Sequence, residues 1–178
     1  KAENPDIVIP NDYVYSTLRA WLNGKYESDD PQKSEYAEKG FLQTAFTHEA
    51  QKLITPTVID NSGISAIDVE KPLDEATDYA CKTITDKIFL LSKQEATTEC
   101  YGFAKEDESG DGNTRIRVTT DYAKATGELM TESRWWLRSP YNSQGGYGRV
   151  INKDGSSTIN LVTTDYVGVV PALYIILQ

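Results

Sequence analysis

One histidine, two cysteines and one methionine are all that this 178-residue chain offers of the side chains most used for proton transfer, thiol chemistry and soft-metal binding. The histidine, His48, stands beside Glu49 at a predicted helix start, a place for a surface or capping residue. A Ser-His-Asp triad would need it, and no Gly-x-Ser-x-Gly elbow is present. A glycine-rich phosphate loop closed by Lys-Ser or Lys-Thr is also missing. Cys81 and Cys100 are too few for a thiolate zinc site and wrongly spaced for a redox Cys-x-x-Cys pair. They are read as structural, either joined in a disulfide or buried as two thiols.

Basic charge is scarce as well. Eighteen Lys and Arg face 27 Asp and Glu, for a net charge of −9. Nucleic acid and anionic membrane surfaces are poor partners for such a chain, because both are held by a basic face. No apolar run reaches membrane-span length. The longest, 167–177, is broken by Gly168 and Pro171 and is predicted to be a buried strand. No signal-peptide pattern opens the chain at Lys1. The acidic loop 107–113 matches an EF-hand at alternating oxygens and at its sixth-position glycine, but Val118 stands where the bidentate carboxylate is required. Asp107, Asp111 and Asn113 remain as a weak calcium candidate against a solvated acidic turn. No other cofactor is expected.

Helical signals crowd the first half. Ser16 is a predicted N-cap, Leu18, Trp21 and Leu22 follow at helical spacing, and Gly24 stops the helix. Further helices are predicted over 41–46 and over 48–54 behind Thr47, with 55–59 extended because of Pro56. Residues 87–91 are predicted to be a buried strand. Ser92 to Glu95 forms a capping box that opens a helix, and Thr120 or Asp121 caps another that ends at Gly127. Residues 60–80 and 104–114 are irregular loops. From Arg134 onward helical spacing gives way to short strands, with a hairpin turn at Lys153-Asp154-Gly155. The fold class is α+β: one domain over 1–178, short helices in the N-terminal half and a mainly antiparallel sheet in the β-rich part, 134–178.

Three segments occur in order near the end: Trp135-Trp136-Leu137-Arg138-Ser139-Pro140, then Asn152-Lys153-Asp154-Gly155-Ser156, then Gly168-Val169-Val170-Pro171-Ala172-Leu173. With 18–24, 86–92 and 120–125 they resemble an uncharacterised domain family common in surface and secreted proteins of gut bacteria. Val170 departs from that family's usual Arg, and its usual opening β-hairpin is not evident before Tyr15. The family in turn resembles the C-type-lectin-like fold, shared by the variable proteins of diversity-generating retroelements and by formylglycine-generating enzymes.

This resemblance implies a non-catalytic adhesion or recognition domain outside a bacterial cell or on a phage particle, with a protein or glycan as ligand and no membrane span in the chain. An enzyme related to the formylglycine generators and a structural spacer are the alternatives. Tyr, Asn, Ser and Gly are interleaved with apolar strand residues between 141 and 166. Such residues build paratopes, since tyrosine offers contact area at low entropy cost. The expected ligand residues are Tyr141, Asn142, Ser143, Tyr147, Arg149, Asn152, Asn160, Thr163, Asp165 and Tyr166. Trp135 and Trp136 are read as structural. Neighbours on a strand point to opposite faces, so at least one ring belongs in the core.

Overall fold

Short polar side chains open each of the early helices. Asp12 accepts the Val14 amide at 2.9 Å and starts a 3-10 turn over Tyr13–Tyr15. Ser16 accepts the Arg19 amide at 3.1 Å and caps α1, Thr17–Asn23, which stops at Gly24 with φ +86°. Two short helices follow, α2 (Phe41–Ala45) and α3 (His48–Leu53), the second capped by Thr47. Gly40 is required where α1 and α2 meet, because a Cβ there would lie 2.0 Å from the Trp21 carbonyl oxygen. The computed structural model describes residues 10–24, 40–61, 83–105, 108–126, 134–141 and 144–176. Most of the expected 60–80 loop, together with Cys81, Asp107, Asn142 and Ser143, lies outside them.

After α3 the chain is extended on both sides of Pro56, as β1 (Ile54–Thr55) and β2 (Thr57–Ile59). Strand β2 pairs antiparallel with β3, Ile84–Asp86. The Ser92–Glu95 capping box forms and opens α4, Lys93–Ala96. A 3-10 turn over Glu99–Tyr101 follows. Thr120 accepts the Ala123 amide at the start of α5, Asp121–Thr126. The largest sheet among the described residues has three antiparallel strands: β4 (Trp135–Pro140), β5 (Tyr147–Ile151) and β6 (Ser157–Leu161). The hairpin between β5 and β6 turns at Gly155, with φ +81°, while the Asp154 carboxylate takes both the amide and the hydroxyl of Ser156. Few short helices beside mainly antiparallel sheets make the chain α+β.

Two predicted strands come out differently. Ile88, Phe89 and Leu90 are buried as expected, but only Phe89 makes a bridge, to Ala172, so 87–91 is an irregular buried segment. The stretch 167–177 is not one central strand either. Gly168 bridges to Trp135, Ala172 to Phe89, and only Tyr174–Ile175, strand β7, pairs regularly, with β1. Glycine and proline at 168 and 171 break the ladder, and the segment instead ties three separate parts together.

Among the described residues the buried apolar side chains form two clusters. Tyr13, Leu22, Leu42, Ile54, Ile88 and Leu90 join the early helices to the irregular segment. Ala96, Trp135, Leu137 and Ile151 join α4 to the sheet, with Val170 packed against them. Val170 thus fills an apolar contact at the position where the resemblance expected an arginine. Trp135 is the core tryptophan, 1% exposed, with its indole N–H given to the Arg115 carbonyl. Trp136 is half-buried on the other face.

Between the clusters lies Arg138. Strand β4 places three residues, 137–139, between Trp136 and Pro140 where β5 places only Arg149 between Val150 and Gly148, and Arg138 lies buried in this bulge. Its backbone amide bonds to the Leu91 carbonyl at 2.9 Å. Its guanidinium grips the Glu95 carboxylate with both terminal nitrogens and also reaches the Leu90 carbonyl at 2.7 Å, the Asp60 carbonyl at 3.0 Å and Asn61 Oδ1 at 3.0 Å. Ser139 accepts the Lys93 amide at 2.8 Å and so holds the start of α4.

Truncating Trp135 to Ala should cost about 3–5 kcal/mol, as for large buried aromatics generally. Arg138→Met should cost a similar amount, about 3–5 kcal/mol, by stranding Glu95 and three further acceptors. Arg138→Lys should recover little of that, since an ammonium cannot supply the planar fork. Urea unfolding of the three variants checks this; a Lys variant as stable as the parent would contradict it.

Candidate functional site

Strand direction decides which polar residues meet. The β4–β5 connection and the exit from β6 lie at one end of the three-stranded sheet, whereas the β5–β6 turn lies at the other, because neighbouring strands run antiparallel. Tyr141, Tyr147, and the residues after Leu161 therefore share an end. Asn152 does not: it sits about 16 Å along the strand from Tyr147, at about 3.3 Å per residue. There its Oδ1 accepts from Arg134 Nε at 2.9 Å, so it belongs to the turn rather than to the expected ligand face.

At the presenting end, Tyr141 and Tyr147 pack edge to face with ring centroids 6.5 Å apart, and the Arg149 guanidinium lies 5.0 Å from the Tyr141 ring centre. Tyr147 and Arg149 are two apart on β5 and share a face. Both tyrosines are half-buried. Arg149 is buried, contrary to the exposed position expected, and acts as a prop beneath Tyr141. Asn160 is directed to its own turn: its Oδ1 accepts from the Leu161 amide and the Thr164 hydroxyl and shapes the exit from β6. Thr163, Asp165 and Tyr166 are exposed on the segment leaving that turn, Tyr166 at 54%. Leu161, at the end of β6, is exposed beside them at 47%. Asn142 and Ser143 fall between Tyr141 and Gln144, outside the described residues.

One residue far away in sequence fixes this end. The Asn11 amide donates to the carbonyls of Tyr141 at 3.1 Å, Gln144 at 3.3 Å and Tyr147 at 2.7 Å. The loop closes on itself through the Tyr141 amide and the Tyr147 carbonyl, and Val162 bonds to the Gly146 carbonyl. Asn11 also lines a cavity of about 510 Å³ between residues 10–18 and the Trp136 face of the sheet. Its walls include Tyr15, Leu18, Trp136, Gly148, Val162 and Val167, and Asp12, Thr17 and Thr164 supply polar edges. The size and the mixture of apolar wall and few polar groups suit a small ligand or one protruding side chain. Sequence reading missed Asn11, Tyr15 and Thr164. Only Trp136 carried a local signal, as the second of two tryptophans on one strand.

Tyr13 forms part of the same wall. It is 4% exposed, and burial, with the Asp86 carboxylate nearby, pushes its hydroxyl well above the ordinary tyrosine range. The other expected sites are plain. His48 is exposed on α3, and Cys100 carries a free, exposed thiol, so it is neither bonded nor buried as expected. Asp111 is exposed, while Asn113 spends its side chain on the Glu108 carbonyl and the Arg115 amide. Among the described residues no group of three or more His, Cys, Asp or Glu is placed to hold a metal ion, and no helix is long and apolar enough to cross a membrane.

A family model described as a domain of unknown function (DUF6273) matches residues 2–177. No curated protein and no solved structure matches the chain.

Folding favours neutral Tyr13, so its contribution is complete below the unfolded tyrosine value of about 10 and is lost as pH rises beyond it. Urea midpoints at about pH 8 and pH 11 should fall less in Tyr13→Phe than in the parent; equal falls would show that the group plays no part.

Proposed function

We propose that the chain, which belongs to the DUF6273 family, is a non-catalytic recognition domain with a C-type-lectin-like fold, displayed outside a bacterial cell or on a phage. The observation that carries this reading is the gathering of Tyr141, Tyr147, Leu161 and the exposed run ending at Tyr166 around one end of the three-stranded sheet. Exposed aromatic and apolar side chains grouped in this way generally mark a contact surface. The cavity beside them, held open between Asn11 and Trp136, gives that surface a concave part. Support for the fold comes from the joining of early and late segments, by Asn11 at one place and by β1 with β7 at another.

The ligand in this reading is a protein or a glycan, bound by aromatic contact and adaptable hydrogen bonds rather than transformed. A formylglycine-generator-like reaction would need paired reactive cysteines in a cleft. Cys100 is instead exposed on a 3-10 turn, and Cys81 lies outside the described residues.

The test is a glycan array and a panel of cell-surface proteins probed with the parent and with Tyr147→Ala/Tyr166→Ala. The parent should bind at least one member. The double variant should lose at least about tenfold in affinity, as for truncated aromatic hot spots, while its melting temperature changes little. Binding unaffected by the double variant would move the ligand away from this end, and no binding by the parent would leave the spacer reading in first place.

A further inference from the structure

Two of the chain's arginines differ from those that hold the fold. Arg19 and Arg138 each meet a carboxylate, Asp86 at 2.7 Å and Glu95. Arg115, fully buried, reaches the carbonyls of Ala104, Lys105 and Gly155. Arg117 and Arg134 form no ion pair with any described residue. Arg117 donates only from Nη1, to the Thr114 carbonyl at 2.7 Å and the Ile116 carbonyl at 2.8 Å. Among the described residues Arg134 donates only from Nε, to Asn152.

Both line one cavity of about 290 Å³, between residues 117–123 and residues 168–171. Trp135, Val169, Val170 and Pro171 make its apolar side, and no carboxylate is among the described residues that line it. In a chain with 27 acidic and 18 basic residues, two arginines lining one hollow with no acid among its described lining residues stand against the overall balance. Arg117 is also held in place. Its guanidinium lies 5.6 Å from the Phe103 ring centre and 5.8 Å from that of Trp135. Burial lowers its pKa from the ordinary arginine value, a sign that the charge is partly stripped of water without a counter-charge to offset it.

We propose that this pocket binds a carboxylate carried on an apolar group, with the free nitrogens of Arg117 and Arg134 on the carboxylate and the apolar group against Val169, Val170 and Pro171. The guanidinium fork matches a planar carboxylate, and such charge-assisted bonds gain strength in a partly dry setting. The pocket lies on a different part of the molecule from the tyrosine-lined end and does not depend on the reading given for that end.

The probe is benzoate, with benzamide as its uncharged counterpart and inorganic phosphate as an anion without an apolar part. Benzoate should shift the amide resonances of 117–120 and 168–171 in a saturable way, and benzamide should not. Arg134 is exposed, so Arg134→Gln should weaken benzoate about tenfold with an unchanged melting temperature. Arg117→Lys keeps the charge without the fork and should weaken it as well. Equal shifts from benzoate and benzamide, phosphate binding as tightly as benzoate, no saturable shift, or undiminished binding in both variants would overturn the proposal.

Discussion

The fold hangs on the guanidinium of Arg138. Five N–H groups in a rigid plane meet a helix-capping carboxylate, two backbone carbonyls and an asparagine, drawn from residues 60–61, 90 and 95. None of these segments is held to its neighbours by a long ladder, so their carbonyls need donors from elsewhere. The bulge in β4 supplies one by trading regular pairing for an inward-facing side chain. Glu95 has a double part: its carboxylate closes the capping box on Ser92 and receives Arg138, so one side chain sets both the start of α4 and its distance from the sheet.

The same solution recurs. Arg115 gathers carbonyls of the 104–108 loop and of the β5–β6 turn. Arg19 joins Asp86 to the Val14 carbonyl. Asn23 takes the amides of Lys87 and Ile88 on its oxygen and gives its nitrogen to the Ile88 carbonyl, acting as a substitute strand for a segment that has none. Side-chain donors thus carry backbone satisfaction that strands supply in more regular proteins. At the end of the sheet where Tyr141, Tyr147 and Tyr166 are placed, Asn11 is the side chain that serves the backbone in this way. Arg117 and Arg134 stand apart, as cations that line one hollow and form no ion pair with any described residue.

Local features could be read from the sequence, and distant ones could not. The caps at Ser16, Thr47 and Ser92, the stop at Gly24 and the turn at Gly155 each depend on a few consecutive residues. Burial of Ile88 to Leu90 was legible from composition, but their lack of regular pairing was not, since the partner Ala172 lies 83 positions beyond Phe89. The split between Tyr147 and Asn152 needed only strand direction, which the hairpin implied. The roles of Asn11, Arg115 and Arg138 had no local signal at all, because each is defined by carbonyls from several segments. Arg149 carried the wrong signal: a charged residue among tyrosines reads as surface, yet a tyrosine face can shelter its guanidinium.

The bonds from Asn11 to Tyr141, Gln144 and Tyr147 span 130 to 136 positions. At synthesis rates of about 5–20 residues per second, the ribosome needs roughly 7 to 27 s between making Asn11 and making its last acceptor. The pairing of Ile54 with Ile175 must wait almost as long. During that interval β1 lacks its partner β7, although Tyr13, Leu22 and Ile54 can already meet Leu42, Ile88 and Leu90. Closure of such long loops comes late and carries a high entropic cost before it returns any contact. The domain therefore completes itself only after its last third has emerged.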